Sequence, residues 1–340
     1  MAPKFRGGSE DWLDEADRTQ EKAKTRPKKG NVARSTDLQI EDTNAGVVEV
    51  FPNQCRVQMD DHSFLLCHYR RAEVVSKGQD GVRERTPVAV GDRVWVNSVS
   101  PSEGRVEGIA VRKNRISRPA PGRDGKKWQH VIAANIDLLV IVASAQEPPF
   151  SPGLVDRFSI GALVEKIPVL LCVAKTDLVG PTDPRPWQAY REIGYSLVET
   201  SVQGNVGVDS LKQEIAGKSV AFCGQSGVGK TSLLRTLLGT EIGRVGKVNE
   251  TTGKGKHTTT SAVLLNGPEN SRWIDTPGVR EFGLNQLLPE ALVRYFPEFQ
   301  QAPCIQKGCL HIEEEGCAVR ETFRYGSYRR IFESLKNGEN

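Results

Sequence analysis

The sequence predicts a multidomain chain of three folded parts in series, and three observations predict them. Short runs of alternating apolar and polar residues fill positions 45 to 109, with turn signals between them. From Asp137 to Asp275, almost wholly apolar runs alternate with amphipathic ones. Near the C-terminus Cys304, Cys309, His311 and Cys317 are clustered. The readings are an N-terminal β-barrel of OB type, a central α/β domain on a parallel sheet, and a small, mostly helical C-terminal domain stapled by a metal. The expected boundaries are a disordered charged extension over 1–43, the barrel over 44–118, the α/β domain over 119–283 and the metal domain over 284–340.

The first part rests on five runs: Gly46–Phe51, Gln54–Met59, Ser63–His68, Val94–Val99 and Gly104–Ile109. Gly91-Asp92 marks a turn before the fourth. Five short strands without helical periodicity suit an OB-type barrel, a fold that often binds oligonucleotides. A generic SH3-like or sandwich module is the alternative. In the second part, strands are expected at Asp137–Ala143, Ile167–Ala174, Leu197–Ser201, Ser219–Cys223 and Trp273–Asp275, with a helix over Val155–Leu163.

Composition limits what the chain does. It has 340 residues, 38% hydrophobic and 26% charged, as a soluble globular protein has. Its longest apolar runs, Leu138–Ala143 and Ile167–Ala174, fall far short of the ~20 residues that span a membrane. Met1–Gln20 lacks the apolar core of a signal peptide. A cytoplasmic protein with no membrane partner is expected. Seven cysteines, an odd number, argue against a disulfide framework there. Cys55, Cys67, Cys172 and Cys223 sit among apolar residues and read as small buried side chains. The net charge is only +4, but Arg18–Arg34 and Arg112–Lys127 each hold seven Lys or Arg against one acid. Two such blocks suggest a polyanionic partner, the second as a surface patch, although charge runs are also simply solvated.

The strand Ser219–Cys223 runs straight into Gly224, Gln225, Ser226, Gly227, Val228, Gly229, Lys230 and Thr231, and Ser232 continues into an amphipathic helix. Strand, glycine loop and helix are the context that G-x-x-x-x-G-K-[ST] requires. Glycines let backbone N–H groups wrap phosphate oxygens, and the helix N-terminus adds a positive dipole. Lys230 is expected on the β- and γ-phosphates and Thr231 on Mg²⁺. Downstream, Asp275-Thr276-Pro277-Gly278 ends a strand. Asp275 there can hold Mg²⁺ through water, and the Gly278 N–H can meet the γ-phosphate. Between them Gly253–Thr260 is rich in Gly and Thr, and one of Thr258, Thr259 and Thr260 can complete the Mg²⁺ shell. Lys175-Thr176-Asp177 follows a strand: Asp177 can accept from the guanine edge while the Lys175 stem covers the base. Ser201 can add a backbone N–H to the guanine oxygen.

Cys304-x4-Cys309-x-His311-x5-Cys317 offers three thiolates and an imidazole, a closed set for one structural Zn²⁺. Three free cysteines beside a surface histidine are the alternative. The tail from Phe323 to Phe332 places Tyr325, Tyr328 and Phe332 at helical spacing, and Arg324, Arg329 and Arg330 can reach a phosphate backbone.

Base recognition thus precedes the phosphate loop, the reverse of the ordinary GTPase order. This resembles the circularly permuted GTPases, and most closely the ribosome-small-subunit-dependent GTPases of the RsgA/YjeQ family, over roughly residues 44–335. The resemblance implies an OB domain, a permuted GTPase domain and a zinc domain. It also implies GTP hydrolysis stimulated by the small ribosomal subunit, late maturation of that subunit as the role, and rRNA, GTP and GDP as partners of a monomer. It places the catalytic histidine before the threonine trio, at His257; packing, or contact with RNA phosphate, is the other reading of His257. One departure is Ala174, where the family has Asn; its loss is expected to weaken guanine affinity. A P-loop ATPase or kinase with RNA-binding accessory domains, and a nucleotide-stabilised RNA scaffold, are the competing functions.

Overall fold

The computed structural model describes residues 38–69, 83–84, 87–119, 128–239, 262–276, 282–284, 287–300, 302–304 and 308–338. All lie in one compact unit, Arg34–Asn340. Six strands come first: β1 (Ala45–Phe51), β2 (Gln54–Met59), β3 (Phe64–His68), β4 (Arg83–Glu84), β5 (Arg93–Ser98) and β6 (Glu103–Ile109). β1 pairs antiparallel with β2, and β2 with β3. β3 runs parallel to β6, β6 antiparallel to β5, and β5 returns to β1 at Ala45↔Val94. That circuit closes a five-stranded barrel of OB type, as the alternation predicts. Its inward positions include Val47, Cys55, Val57, Cys67, Val94, Val96 and Val106. Burial pushes both thiols up, Cys67 to about 11, so they pack as small apolar groups.

Residues 38–43 correct the expected extent of disorder. Ile40–Asp42 form a 3₁₀ turn, and the Val111 N–H donates to the Leu38 carbonyl at 3.0 Å. Residues 1–37, with the basic run Arg18–Arg34, lie outside the described residues.

Two strands that the sequence reading missed, β7 (Arg115–Pro119) and β8 (Trp128–Ala134), form a hairpin joined by β4. β7 has no alternation to read, since Arg115, Ile116 and Ser117 are buried in succession, and two cations of the basic run turn inward. Arg112 pairs with the buried Asp92 at 2.7 Å, Lys113 meets Asp137 at 2.9 Å, and Arg115 is itself buried with Glu165 4.0 Å away. Arg118 is exposed, and residues 120–127 lie outside the described residues. Of the expected surface patch over Arg112–Lys127, Arg112 and Arg115 are therefore structural, while Lys113 and Arg118 stay exposed.

The α/β sheet follows: β9 (Leu138–Ser144), β10 (Val169–Ala174), β11 (Ser196–Glu199), β12 (Ser219–Cys223), β13 (Val263–Asn266) and β14 (Arg272–Asp275). The order is β11-β10-β9-β12-β14-β13, with the first five parallel and β13 antiparallel to β14. β13 also pairs with β1 at Glu49↔Val263, so barrel and α/β domain share one eleven-stranded sheet. Every residue of β9 is buried, as a central parallel strand requires. One apolar layer includes Ile141, Phe158, Leu171 and Ile274, and the other Val140, Leu211, Phe222, Leu233 and Trp273.

Helices α1 (Pro152–Val164), α2 (Gln188–Glu192), α3 (Val208–Ile215) and α4 (Lys230–Leu238) connect these strands. α1 serves two cores. Phe158 packs into the sheet layer, and Ile160 packs into the C-terminal core with Leu292, Phe296, Phe299, Tyr328 and Ile331. Two further helices, α5 (Pro297–Gln300) and α6 (Tyr325–Asn337), carry that core. Tyr328 and Phe332 are buried as their spacing predicts. Arg324 is not the surface cation expected: it is 0% exposed. Among the described residues no helix is long and apolar enough to cross a membrane.

Candidate active site and metal centre

The C-terminal ends of β9, β10, β12 and β14 meet at one place, where open parallel sheets bind ligands. β12 delivers the glycine loop there. A Cβ at Gly224 would stand 2.3 Å from the Val142 carbonyl oxygen, so only glycine lets this loop leave the sheet beside β9. Gly229 caps α4 with φ +95°, a conformation side chains rarely adopt. Leu233 N–H donates to the Gly229 carbonyl at 2.9 Å, which starts the helix at Lys230. The N–H groups of its first turn are left for an anion. Gln225, Ser226, Gly227, Thr231 and Ser232 are exposed around the loop, whereas Val228 is buried and pins its floor.

Lys230 is nearly buried. Its ammonium pairs with the Asp275 carboxylate and donates to the Thr276 carbonyl at 2.9 Å. Thr276 in turn donates its hydroxyl to Phe222 O at 2.7 Å, which locks the end of β14 to β12. The phosphate loop and Asp275 are thus brought together. Thr231 and Asp275 are hard oxygen donors, a set suited to Mg²⁺. His257, Thr259 and Gly278 lie outside the described residues.

The loop Lys175-Thr176-Asp177, expected from the sequence to recognise the base, is adjacent. Lys175 has φ +60°, and its ammonium donates to two carbonyls, Glu147 and, at 2.7 Å, Gly227. Its stem therefore crosses beneath the phosphate loop, with its Cε 3.7 Å from where a Gly229 Cβ would be. Thr176 N–H and Oγ1 both donate to Thr200 O at 3.2 Å, tying this loop to the end of β11. Asp177 is exposed, and Ala174 is buried beside it. Ser201 departs from expectation. Its N–H donates to Val206 O at 3.0 Å and its hydroxyl accepts from Gly204 N–H, so it holds its own turn instead of offering an N–H outward. The sequence reading missed Glu147, whose role is played by a backbone oxygen and leaves no mark on residue identity.

In the C-terminal region the four expected ligands converge. Sγ of Cys304, Cys309 and Cys317 and a ring nitrogen of His311 all lie within 4.8 Å of one another. His311 Nδ1 is 3.3 Å from the Cys317 Sγ and 3.5 Å from the Cys304 Sγ. Three thiolates and an imidazole at this spacing fit a tetrahedral Zn²⁺. Burial lowers the His311 pKa, which favours the neutral ring that ligates metals. His311 has φ +62°, and a surrounding frame fixes its turn. Glu314 accepts the N–H groups of Leu310 and Ile312 at 2.7 and 2.8 Å, and Tyr328 donates to Leu310 O at 2.7 Å.

Comparison with known proteins agrees with this arrangement. Residues 109–285, more than half of the chain, match the family model described as RsgA GTPase. The chain is 33% identical over 299 residues to small ribosomal subunit biogenesis GTPase RsgA 2 of Bacteroides thetaiotaomicron, covering 84% of this chain and 94% of that one. It is 33% identical over 328 residues to small ribosomal subunit biogenesis GTPase RsgA of Haemophilus influenzae, with 91% and 90% covered. The crystal structure of YjeQ from Thermotoga maritima matches with TM-score 0.63 and 27% identity, over 86% of this chain and 98% of that one. The fold of YloQ, described as a circularly permuted GTPase, matches with TM-score 0.59 and 24% identity, over 88% and 96%. A Lys175–Asp177 loop that precedes the glycine loop in the chain, on a sheet shared with a closed barrel, is therefore no accident of one sequence: the chain belongs to the RsgA GTPase family.

Proposed function

We propose that this chain hydrolyses GTP to GDP and phosphate on the small ribosomal subunit and assists that subunit's late maturation. The observation that carries the reading is the convergence of Lys175, Lys230 and Asp275 at the ends of β10, β12 and β14, in permuted chain order. Relatives at 33% identity over most of both chains are named for small-subunit biogenesis.

In this reading the loop Gly224–Thr231 cradles the phosphates with its N–H groups, and Lys230 neutralises the β- and γ-oxygens. Thr231 and Asp275 would hold Mg²⁺, which supplies charge neutralisation at the reacting phosphate when bound. Asp177 selects guanine, and Lys175 fixes that loop against Gly227. Thr259 and the Gly278 N–H sense the γ-phosphate. His257 orients the attacking water, a role given to it because Val279 follows Asp-Thr-Pro-Gly where Ras-like enzymes soon place a Gln. Cys304, Cys309, His311 and Cys317 hold one structural Zn²⁺.

The barrel and the metal domain, with the boundaries set out from the sequence, flank the catalytic part and grip rRNA in the GTP state. The protein works in the cytoplasm as a monomer. Hydrolysis of GTP and of ATP, each with and without small subunits, tests the reading. GTP turnover stimulated by the subunit is expected, and preference for ATP or indifference to the subunit would refute it. The variant His257→Ala should keep nucleotide affinity and lose the stimulated turnover; unchanged stimulation removes His257 from the mechanism.

A further inference from the structure

Arg324 stands just before α6 and is fully buried. Its Nε donates to Asp156 Oδ1 at 2.7 Å, and its Nη1 to both Glu298 oxygens at 3.1 and 3.2 Å. Nη2 reaches the Tyr195 hydroxyl at 3.4 Å. Three rings line the guanidinium: Phe296 at 4.3 Å, Tyr195 at 5.5 Å and Tyr190 at 5.6 Å. Burial alone would lower its pKa, but Asp156 and Glu298 hold it above its ordinary value, so it stays charged. Buried ion clusters of this kind are seldom better for stability than apolar packing, because desolvation consumes the Coulombic gain. What this one does is join parts. Glu298 and Phe296 belong to the C-terminal domain, Asp156 to the start of α1, and Tyr190 to α2.

The contacts continue to the nucleotide site. Tyr190 donates to Asp156 at 2.9 Å and lies 3.1 Å from Pro152 O, the first residue of α1. Its ring packs edge-on against Phe150, 5.9 Å between centroids, and Trp187 holds Phe150 from another side at 5.8 Å. Phe150 lies in the short loop that leaves β9, residues 145–151. The same loop carries the Glu147 carbonyl that takes the Lys175 ammonium, and Pro148, 3.7 Å from where a Gly227 Cβ would be. Lys175 holds the phosphate loop at Gly227 O. No side-chain amide stands at position 174, which is alanine; the loop is tied to β11 through Thr176 and Thr200 O, and its tie to the phosphate loop and to Glu147 O runs through the Lys175 ammonium.

We propose that Arg324 is a positioning residue for the nucleotide site, acting through Tyr190, Phe150 and the 145–151 loop on Lys175. Docking of the C-terminal domain and guanine-nucleotide affinity are then one coupled equilibrium. The inference rests on the GTPase reading of the site.

The test is a double-mutant cycle on GDP affinity and dissociation rate, measured with a fluorescent guanine nucleotide on the full-length chain. Arg324→Lys keeps the charge but loses the fork that bonds Asp156 and Glu298 together. It should weaken GDP binding by about five- to tenfold, at the lower end of couplings between distinct sites. In a Lys175→Ala background the same change should have no further effect, because the route ends at Lys175. Additive losses in the double variant, or unchanged affinity in Arg324→Lys, overturn the proposal. Tyr190→Phe, which removes one hydroxyl and leaves the guanidinium in place, repeats the cycle with a milder change and decides the matter if Arg324→Lys does not fold. Zinc content, read alongside, should stay at one per chain in each variant. If the unmodified chain binds no guanine nucleotide, the GTPase reading itself fails, which this control separates from failure of the coupling.

Discussion

The phosphate site and the metal centre are built in opposite ways. The first draws on segments far apart in sequence: Lys175 after β10, the loop after β12 and Asp275 at the end of β14. Its geometry comes from the sheet, and its contacts are mostly backbone atoms, such as Gly227 O, Glu147 O and Thr276 O. The second takes four side chains from one short segment, 304–317, in which the described residues form no helix or strand; a 3₁₀ turn, Ala318–Glu321, follows it. A site inherited from a sheet keeps its shape without its ligand. A site made of side chains on loops needs the ligand to hold those loops together.

The largest effect should therefore come from metal removal. Binding of structural zinc contributes roughly 10 kcal/mol or more to folding in small modules. A chelator should abolish hydrogen-exchange protection over residues 308–323 while β9 and β12 keep theirs. Equal loss in the sheet, or none in either region, would erase the contrast. Next is Lys230→Ala. It removes the ammonium proposed to neutralise the phosphates, which here pairs with Asp275, and turnover should fall about 10²–10³-fold, as loss of a charge-stabilising donor does. Thermal unfolding of β9 and β12 should change little. Third, Gly224→Ala drives a methyl into the Val142 carbonyl, and overpacking of this sort costs about 1–3 kcal/mol. A lowered melting temperature together with lost nucleotide binding is expected, since here scaffold and site are the same atoms. The smallest change is Ala174→Asn. One added hydrogen bond at the base loop is worth about 0.5–1.5 kcal/mol, so GTP should bind up to about tenfold tighter by equilibrium titration.

What the sequence revealed follows the same division. The candidate metal ligands were legible because a local site leaves all its residues in one short stretch. The barrel strands were legible to within a residue or so, since alternation is a local signal: Gln54–Met59 is β2 as predicted. The phosphate loop was legible because glycines, lysine and threonine must stand in fixed order. Illegible parts depended on long-range partners. Arg112 and Arg115 read as surface cations until Asp92 and Glu165 appeared beside them from elsewhere in the chain. Arg324 read as an rRNA contact, yet its acid partners are Asp156 and Glu298. Ser201 read as a donor to the base, but a carbonyl five residues on took its N–H. Pairings across such distances have no periodicity to betray them.

The pairing of Glu49 with Val263 has one more consequence. An open sheet normally ends in two raw edges, each a row of unpaired N–H and C=O groups on which another chain can add. In this molecule β13 meets β1 at Glu49↔Val263, and β1 belongs to a barrel that closes on itself. Among the described residues of this sheet, β11 remains as an edge, and it is short, with an Arg191 guanidinium capping its Leu197 carbonyl at 3.3 Å. The barrel is therefore also the guard of the catalytic sheet against strand-by-strand aggregation. A chain shortened to its catalytic part would expose β13 and acquire the stickiness that the intact protein is built to avoid.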